Sequence, residues 1–170
     1  TMLAHHLLKN GGLDVGVAGN IGDSYAKMVS EQDRALYTLE ISSFQLDGIQ
    51  DFKPHIAILT NITPDHLDRY NYQFEKYIAS KFRITMNQTR ADYFIYDADD
   101  PVIQEALKKY HDQSKLVPFS IKEVLETGAW LEDNTIKLNV EHKTLEMSTD
   151  ILALDGQHNV KNAMAASLAA

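Results

Sequence analysis

Five short runs of β-branched and other apolar residues constrain the fold of this chain more than any other feature. The runs lie at 15–18, 36–41, 56–60, 93–96 and 116–119. Their apolar residues do not alternate with polar ones, which is typical of strands buried on both faces. Segments of helical pattern lie between or beside them, at about 2–10, 23–31, 73–87 and 101–111. This succession predicts an α/β fold with a mainly parallel sheet and helices on both faces.

The pattern changes after about residue 121. Alternating residues flank Asp133 and Asn134, which predicts an antiparallel hairpin and a small antiparallel β-sheet. The stretch 157–170 is rich in Ala, Met and Leu and predicts a helix. Neither a strand before the first helix nor a cap after the last is visible, so we expect both ends to be cuts in a longer protein.

Composition excludes several functional classes. The formal net charge is −8 and no cluster of Lys and Arg is present, so we expect no nucleic-acid partner. No apolar run approaches the roughly 20 residues that span a bilayer, so we expect a soluble protein without a membrane partner. The chain contains no cysteine, which excludes disulfides and thiolate metal sites. A cytoplasmic location is expected only from the function inferred below.

A group of polar residues follows the second predicted strand. Glu40 ends that strand, and Ser42, Ser43 and Gln45 come next. Ligands of open α/β sheets bind at the carboxyl ends of the strands, and a carboxylate there is a candidate Mg²⁺ ligand. The alternative is local, with Glu40 capping the next helix and the serines satisfying backbone groups.

A second polar group, 61–70, follows the third predicted strand. His66 could bind a metal or position a phosphate there. The alternative is a turn in which Asp65 and Asp68 cap backbone amides and pair with Arg69. Two polar strand ends in one sheet favour a site.

Three further segments carry candidate residues. Asn20 lies in a glycine-rich turn, where the backbone can approach a ligand closely. Lys81 shares a helix face with Tyr77, although most such lysines are solvated. Asn159 and Asn162 share a face at a helix start and could bind a base such as adenine, or could serve as caps.

In chain order, these segments resemble the central domain of the Mur ligases. The segments that carry the resemblance are Gly19–Gly22, Leu39–Leu46, Asn61–Tyr70, Lys81 and Gly156–Ala163. The resemblance covers nearly the whole chain, and two parts of it, Ser42–Leu46 and Asp65–Tyr70, are most similar to the members that add D-glutamate. It implies a P-loop NTPase-like α/β domain over residues 1–170.

The resemblance implies an amide-forming reaction with ATP as co-substrate. ATP would phosphorylate the carboxylate of UDP-N-acetylmuramoyl-L-alanine, and the amine of D-glutamate would then displace the phosphate. Both steps concentrate negative charge, which metal ions and positioned donors stabilise. Two Mg²⁺ ions are therefore expected.

The resemblance also assigns roles to individual residues. Glu40 would hold one Mg²⁺, His66 would help to hold a second, and Lys81 matches a carbamylated lysine whose new carboxylate-like group coordinates Mg²⁺. His66 and Lys81 are thus the candidate catalytic residues. The remaining assignments are substrate contacts at Asn20, Ser42 and Gln45, adenine contacts at Asn159 and Asn162, and site architecture at Asn61 and Asp65.

The family's phosphate-binding motif, Gly-x-x-Gly-Lys-Ser/Thr, does not occur in these 170 residues. We expect a central-domain fragment that lacks this loop and the N- and C-terminal domains, and that is inactive by itself. The alternatives are another Mur ligase, a folylpolyglutamate synthase, against which Ser42–Leu46 argues, and a non-catalytic nucleotide-binding module.

Overall fold

The computed structural model describes residues 1–110, 113–152 and 156–170. The helices are α1 (Met2–Asn10), α2 (Tyr25–Glu31), α3 (Ser43–Asp47), α4 (Phe74–Phe82), α5 (Pro101–Tyr110) and α6 (Gln157–Ala169). The strands are β1 (Val15–Gly19), β2 (Leu36–Glu40), β3 (Ile56–Leu59), β4 (Tyr93–Asp97), β5 (Lys115–Ser120), β6 (Gly128–Glu132), β7 (Thr135–Val140) and β8 (Lys143–Ser148). Short 3₁₀ helices lie at Leu67–Tyr70, Arg83–Thr85 and Thr149–Ile151.

The described strands form two sheets. β1 and β2 pair in parallel as a small sheet of two strands. The larger sheet has six strands in the order β3-β4-β5-β6-β7-β8, which is also the chain order. Its first four strands are parallel, and β7 and β8 continue it in antiparallel fashion. The predicted α/β class with a mainly parallel sheet is confirmed.

Helices cover both faces of the larger sheet. Successive side chains of β4 point to opposite faces, so their contacts show which helices lie on each face. Phe94 and Tyr96 pack with residues of α4 and α5, such as Phe82 and Ile103. Ile95 packs on the other face against α6. The helices on both faces therefore hold the carboxyl ends of β3, β4 and β5 at one edge, where the candidate site residues lie.

The antiparallel strands differ from the prediction in one respect. The expected hairpin exists, with Asp133 and Asn134 in its turn at φ 46° and 60°, but it extends the large sheet instead of forming a sheet of its own. Gly128 makes this possible, because a Cβ there would lie 2.0 Å from the carbonyl oxygen of Pro118 on β5. Its φ of +105° also suits glycine. The separate small sheet is instead the parallel pair of β1 and β2.

The helices lie close to their predicted positions. The segment predicted as one helix at 73–87 is α4 followed by a 3₁₀ turn, and the last residue of the predicted 101–111 helix lies outside the described residues. α1 packs against α6 and β1, so the first and last helices meet. In the described ranges no helix is long and apolar enough to cross a membrane.

Candidate functional site

Asn20 and Glu40 meet at the end of the small sheet. The Asn20 backbone N–H donates to the Glu40 carbonyl oxygen at 2.7 Å, and Asn20 Nδ2 donates to Glu40 Oε1 at 3.4 Å. Gly19 allows this approach, because a Cβ on it would lie 2.2 Å from the Glu40 carbonyl oxygen. The two predicted site residues are thus hydrogen-bonded to each other, and Glu40 is partly accessible to solvent.

Ser42 and Gln45 form a capping box at the start of α3. Gln45 N–H donates to Ser42 Oγ at 3.4 Å, and Ser42 N–H donates to Gln45 Oε1 at 2.8 Å. This reciprocal pair satisfies two backbone donors that the first turn leaves without partners. Ser42, and not Glu40, is therefore the helix cap. Both side chains have a local structural use, and their assignment to the substrate stays a prediction.

His66 has a left-handed backbone conformation, with φ 49°. Asp65 Oδ1 accepts from the His66 N–H at 2.8 Å, which is the capping expected of a local turn. The His66 ring lies 5.2 Å from the ring of Phe44, centroid to centroid. Arg69 places its guanidinium 4.2 Å from the same ring instead of pairing with Asp65. Phe44 thus joins α3 to the loop that carries His66.

Lys81 is half-buried near the end of α4, unlike the solvated lysine that is usual for a helix surface. Its Nζ lies 5.4 Å from the centre of the Tyr77 ring, which confirms the predicted shared face. Burial lowers the pKa of Lys81, and the carboxylates of Asp65 and Glu40 act in the opposite direction. Lys81 therefore interacts electrostatically with a carboxylate from each of the two polar segments, Glu40 and Asp65.

A buried hydrogen-bonded group fixes α4 against α3. Ser80 Oγ donates to the carbonyl oxygen of Ser43 at 2.9 Å, and the Tyr70 hydroxyl lies 3.2 Å from Ser80 Oγ. Ser80 precedes Lys81, and Tyr70 ends the loop that contains His66. This group therefore sets the position of Lys81 relative to both neighbouring segments.

A separate cleft of about 350 Å³ lies at the carboxyl ends of β3, β4 and β5, next to the first turn of α6. Its lining residues are Thr60, Asn61, Asp97, Ile121, Lys122, Gln157, His158, Lys161 and Asn162. Asn162, a predicted adenine contact, faces this cleft together with Asn61. Asn159 lies one turn earlier on the same helix.

A buried ion cluster underlies this cleft. Lys161 Nζ lies 2.8 Å from Asp97 Oδ2 and 2.9 Å from Asp99 Oδ2, and the side chains of the two aspartates are 5% and 4% exposed. Burial opposes the charge on Lys161, but its bonds to the two carboxylates raise its pKa above the ordinary value. The cluster joins α6 to the end of β4.

The predicted residues therefore fall into two neighbouring groups. Asn20, Glu40, His66 and Lys81 lie around the ends of β2 and β3, while Asn162 lies in the cleft. Among the residues that the structure describes, no three His, Cys, Asp or Glu side chains are grouped closely enough to hold a metal ion. Glu40 and Asp65 near Lys81 are oxygen donors of the kind that Mg²⁺ prefers.

Comparison with known proteins decides the family. A family model described as the Mur ligase middle domain matches residues 1–170. The chain belongs to the Mur ligase family.

Relatives of this Mur ligase domain match over its whole length. It is 59% identical over 168 residues to the UDP-N-acetylmuramoylalanine–D-glutamate ligase of Christiangramia forsetii, covering 99% of this chain and 38% of that protein. It is 46% identical over 170 residues to the ligase of the same name from Bacteroides fragilis, covering 100% and 38%. The chain therefore spans 38% of the length of these relatives.

Solved structures of other Mur ligases share the fold. The UDP-N-acetylmuramate:L-alanyl-gamma-D-glutamyl-meso-diaminopimelate ligase from Neisseria meningitides matches with a TM-score of 0.69 at 16% identity, over 98% of this chain and 55% of that one. The MurF ligase from Thermotoga maritima, solved with ADP, matches with a TM-score of 0.65 at 18% identity, over 98% and 40%. At these identities the likeness concerns the fold.

The sequence did not reveal the Lys161 cluster. One signal was present, because Asp97, Asp99 and Asp100 come directly after the predicted strand at 93–96. Acidic residues also lie at or after the ends of the two preceding predicted strands, at Glu40 and Asp65. Lys161 itself stood out only as a cation between two asparagines on a helix that is otherwise mostly apolar. Its partners are 64 and 62 residues away in sequence, so local pattern did not identify them.

Proposed function

We propose that the full-length protein is an ATP-dependent ligase that joins D-glutamate to UDP-N-acetylmuramoyl-L-alanine in peptidoglycan synthesis. The observation that carries the proposal is the position of the half-buried Lys81, where the carboxylates of both Glu40 and Asp65 act on its pKa. Two relatives at 59% and 46% identity bear the name of this activity. Its nucleotide-linked substrates lead us to assign the enzyme to the cytoplasm.

The reaction has two steps. An oxygen of the substrate carboxylate attacks the γ-phosphorus of ATP, and the bond to ADP breaks to leave an acyl phosphate. The amine nitrogen of D-glutamate then attacks the acyl carbon, phosphate leaves with the bonding electrons, and the nitrogen loses a proton. Negative charge accumulates in both steps, so the site must supply fixed positive charge and donors.

Two Mg²⁺ ions would bind around Lys81 in this proposal, where Glu40 and Asp65 offer oxygen donors. When bound, Mg²⁺ neutralises phosphate charge and orients the reacting oxygens. Glu40 holds one ion in this proposal, and His66 with a carbamylated Lys81 holds the second. Carbamylation requires the neutral amine, whose nitrogen bonds to the carbon of CO₂ and loses a proton. Burial favours that neutral form, since it lowers the pKa of Lys81.

The other predicted residues bind and orient substrates. Asn20, held by Glu40, presents its amide beside the metal-binding carboxylate. Ser42 and Gln45 contact the UDP-linked substrate from the first turn of α3 in this proposal, so substrate binding must use atoms that the capping box leaves available. Asn159 and Asn162 contact adenine from the first turns of α6.

The direct test is phosphate release by the full-length protein with ATP, Mg²⁺ and UDP-N-acetylmuramoyl-L-alanine. We expect release to depend on D-glutamate, with little release when L-alanine, L-lysine or meso-diaminopimelate replaces it. Release with a different acceptor would assign the protein to another Mur ligase reaction. Tight Mg²⁺-dependent ATP binding without amide formation would favour a nucleotide-binding module.

The 170-residue chain provides a second test. We expect no amide formation by this chain, since its sequence contains no Gly-x-x-Gly-Lys-Ser/Thr motif to cradle the phosphates of ATP. Turnover by the chain, measured by the appearance of the amide product, would contradict this expectation.

A further inference from the structure

The buried cluster of Lys161, Asp97 and Asp99 joins three walls of the cleft. Lys161 belongs to α6, and Asp97 ends β4, where its two carboxylate oxygens lie 3.0 and 2.8 Å from Lys161 Nζ. Asp99 Oδ2 lies 2.9 Å from the same ammonium. A single side chain of α6 therefore binds both aspartates at the end of β4.

Asp99 carries the connection onward to β5. Its Oδ1 accepts from Ser120 Oγ at 2.6 Å, and its Oδ2 accepts from the Ile121 N–H at 3.0 Å. Ser120 Oγ accepts in turn from the Lys122 N–H at 3.0 Å. Ile121 and Lys122 line the cleft, so the ionic cluster and its hydrogen bonds fix the β5 wall relative to α6.

We propose that Lys161 is a positioning residue for nucleotide binding: by joining α6 to Asp97 and Asp99, it fixes Asn159 and Asn162 relative to the opposite wall of the cleft. This inference rests on the proposed function, in which those asparagines contact adenine. The side chain of Lys161 is 19% exposed and already surrounded by carboxylates, so its ammonium is committed to the protein. Loss of the link affects the nucleotide end of the site and leaves the group around Lys81 in place.

Removal of Lys161 by itself leaves two buried carboxylates without a cation, which is strongly unfavourable. A charge-balanced double variant limits this problem to one carboxylate, that of Asp99. Combining Lys161→Met with Asp97→Asn removes one positive and one negative charge, and Asp99 keeps its donors Ser120 and Ile121. The link between α6 and β4 is lost while the net charge of the cluster is unchanged.

The experiment is steady-state kinetics of the full-length ligase carrying this double change. We expect the KM for ATP to rise about tenfold, while kcat and the KM for UDP-N-acetylmuramoyl-L-alanine stay within about twofold of the unmodified enzyme. Lys161→Arg keeps the cation, so we expect its KM for ATP to stay within about threefold of that of the unmodified enzyme. Lys108→Met, at a lysine that is 73% exposed on α5, is the control for the change of residue type.

Two results would overturn the inference. One is a KM for ATP within twofold of the unmodified enzyme in the charge-balanced variant. The other is a uniform loss of kcat that accompanies a lower melting temperature, which indicates a purely structural role. If the unmodified enzyme shows no acceptor-dependent phosphate release, the proposed function fails; calorimetric titration of the same variants with ATP then tests Lys161 separately.

Discussion

The carboxylate of Asp100 binds the backbone of Ile62, with Oδ2 accepting from the Ile62 N–H at 2.9 Å. Oδ1 of the same carboxylate accepts from the Val102 and Ile103 N–H groups at 2.8 and 3.2 Å in the first turn of α5. One side chain therefore caps a helix and holds the start of the loop that leads to His66.

Replacing Asp100 should affect stability by more than the loss of a helix cap. We expect Asp100→Ala to lower the free energy of unfolding by about 2–3 kcal/mol, because the cap and the bond to Ile62 are both lost. Asp100→Asn retains one acceptor oxygen and should cost roughly half as much. Urea unfolding of both variants measures the difference, and equal costs would show that the one acceptor oxygen that Asn retains contributes nothing.

Substitution of Lys81 tests its proposed metal-binding role. We expect Lys81→Gln to lower kcat of the full-length ligase by about 100-fold or more, because a carboxylate-like ligand is lost where charge accumulates. Lys76→Gln, at an exposed lysine of the same helix, should leave kcat unchanged. Comparable activity of the two variants in the phosphate-release assay would argue against the role.

The contact between Tyr70 and Ser80 predicts a coupling between two substitutions. Tyr70→Phe and Ser80→Ala each remove one hydroxyl from the group that holds Ser80 against Ser43. We expect each change to cost about 1–2 kcal/mol and the double variant to cost about 1 kcal/mol less than their sum. Strict additivity in denaturant unfolding would show that the two hydroxyls act independently.

The close approach of Gly19 to Glu40 makes position 19 sensitive to any side chain. We expect Gly19→Ala to destabilise the chain by about 3 kcal/mol or more, because its Cβ would lie 2.2 Å from a backbone oxygen and its φ is +111°. Gly22→Ala is a matched control, since its φ is +70° but the nearest atom is 4.0 Å away. Its expected cost is about 1 kcal/mol. Similar melting temperatures for both would contradict the clash.

Asp92 should make stability depend on pH in acid. A hydrogen bond from the backbone N–H of Thr89 is the largest cause that holds the pKa of Asp92 well below its ordinary range. A hydrogen bond with the His55 side chain acts in the same direction. Its stabilising contribution is therefore fully present above the unfolded value of about 3.9 and is lost as the pH falls through the lower folded value. We expect the melting-temperature difference between the unmodified chain and Asp92→Asn to be large at pH 7 and to shrink below about pH 4. A constant difference across this range would contradict the assignment.

Hydrophobic pattern predicted β3 and β4 well because every residue of these strands is buried or half-buried. The unbroken runs at 56–60 and 93–96 became β3 and β4 with ends within one residue. The segment 73–87 did not remain one helix: α4 ends at Phe82, and Arg83 directs its guanidinium to the carbonyl oxygens of Leu46 and Ile49. That contact is tertiary, and periodicity does not reveal it.

The sequence shows which polar residues follow strands, but it does not show how helix packing groups them. Glu40 and Lys81 were chosen on the family resemblance, because local pattern alone favoured a helix cap and a solvated lysine, and their site roles stay predictions. Ser42 and Gln45 form the cap of α3, where the local alternative had named Glu40. Pattern does not show whether such side chains remain available to a ligand. The link from Lys161 to Asp97 required the three-dimensional arrangement.

The order of strands in the larger sheet has a consequence for how the chain assembles. Each strand from β4 to β8 pairs with the strand that precedes it in sequence, so this sheet can grow strand by strand during synthesis. The packing of α1 on α6 instead joins two helices that are far apart in sequence, so it must wait until α6 has been synthesised. We expect the small sheet and its Glu40 to reach their final position only after α6 has formed, so the order of synthesis delays the assembly of the region around Glu40.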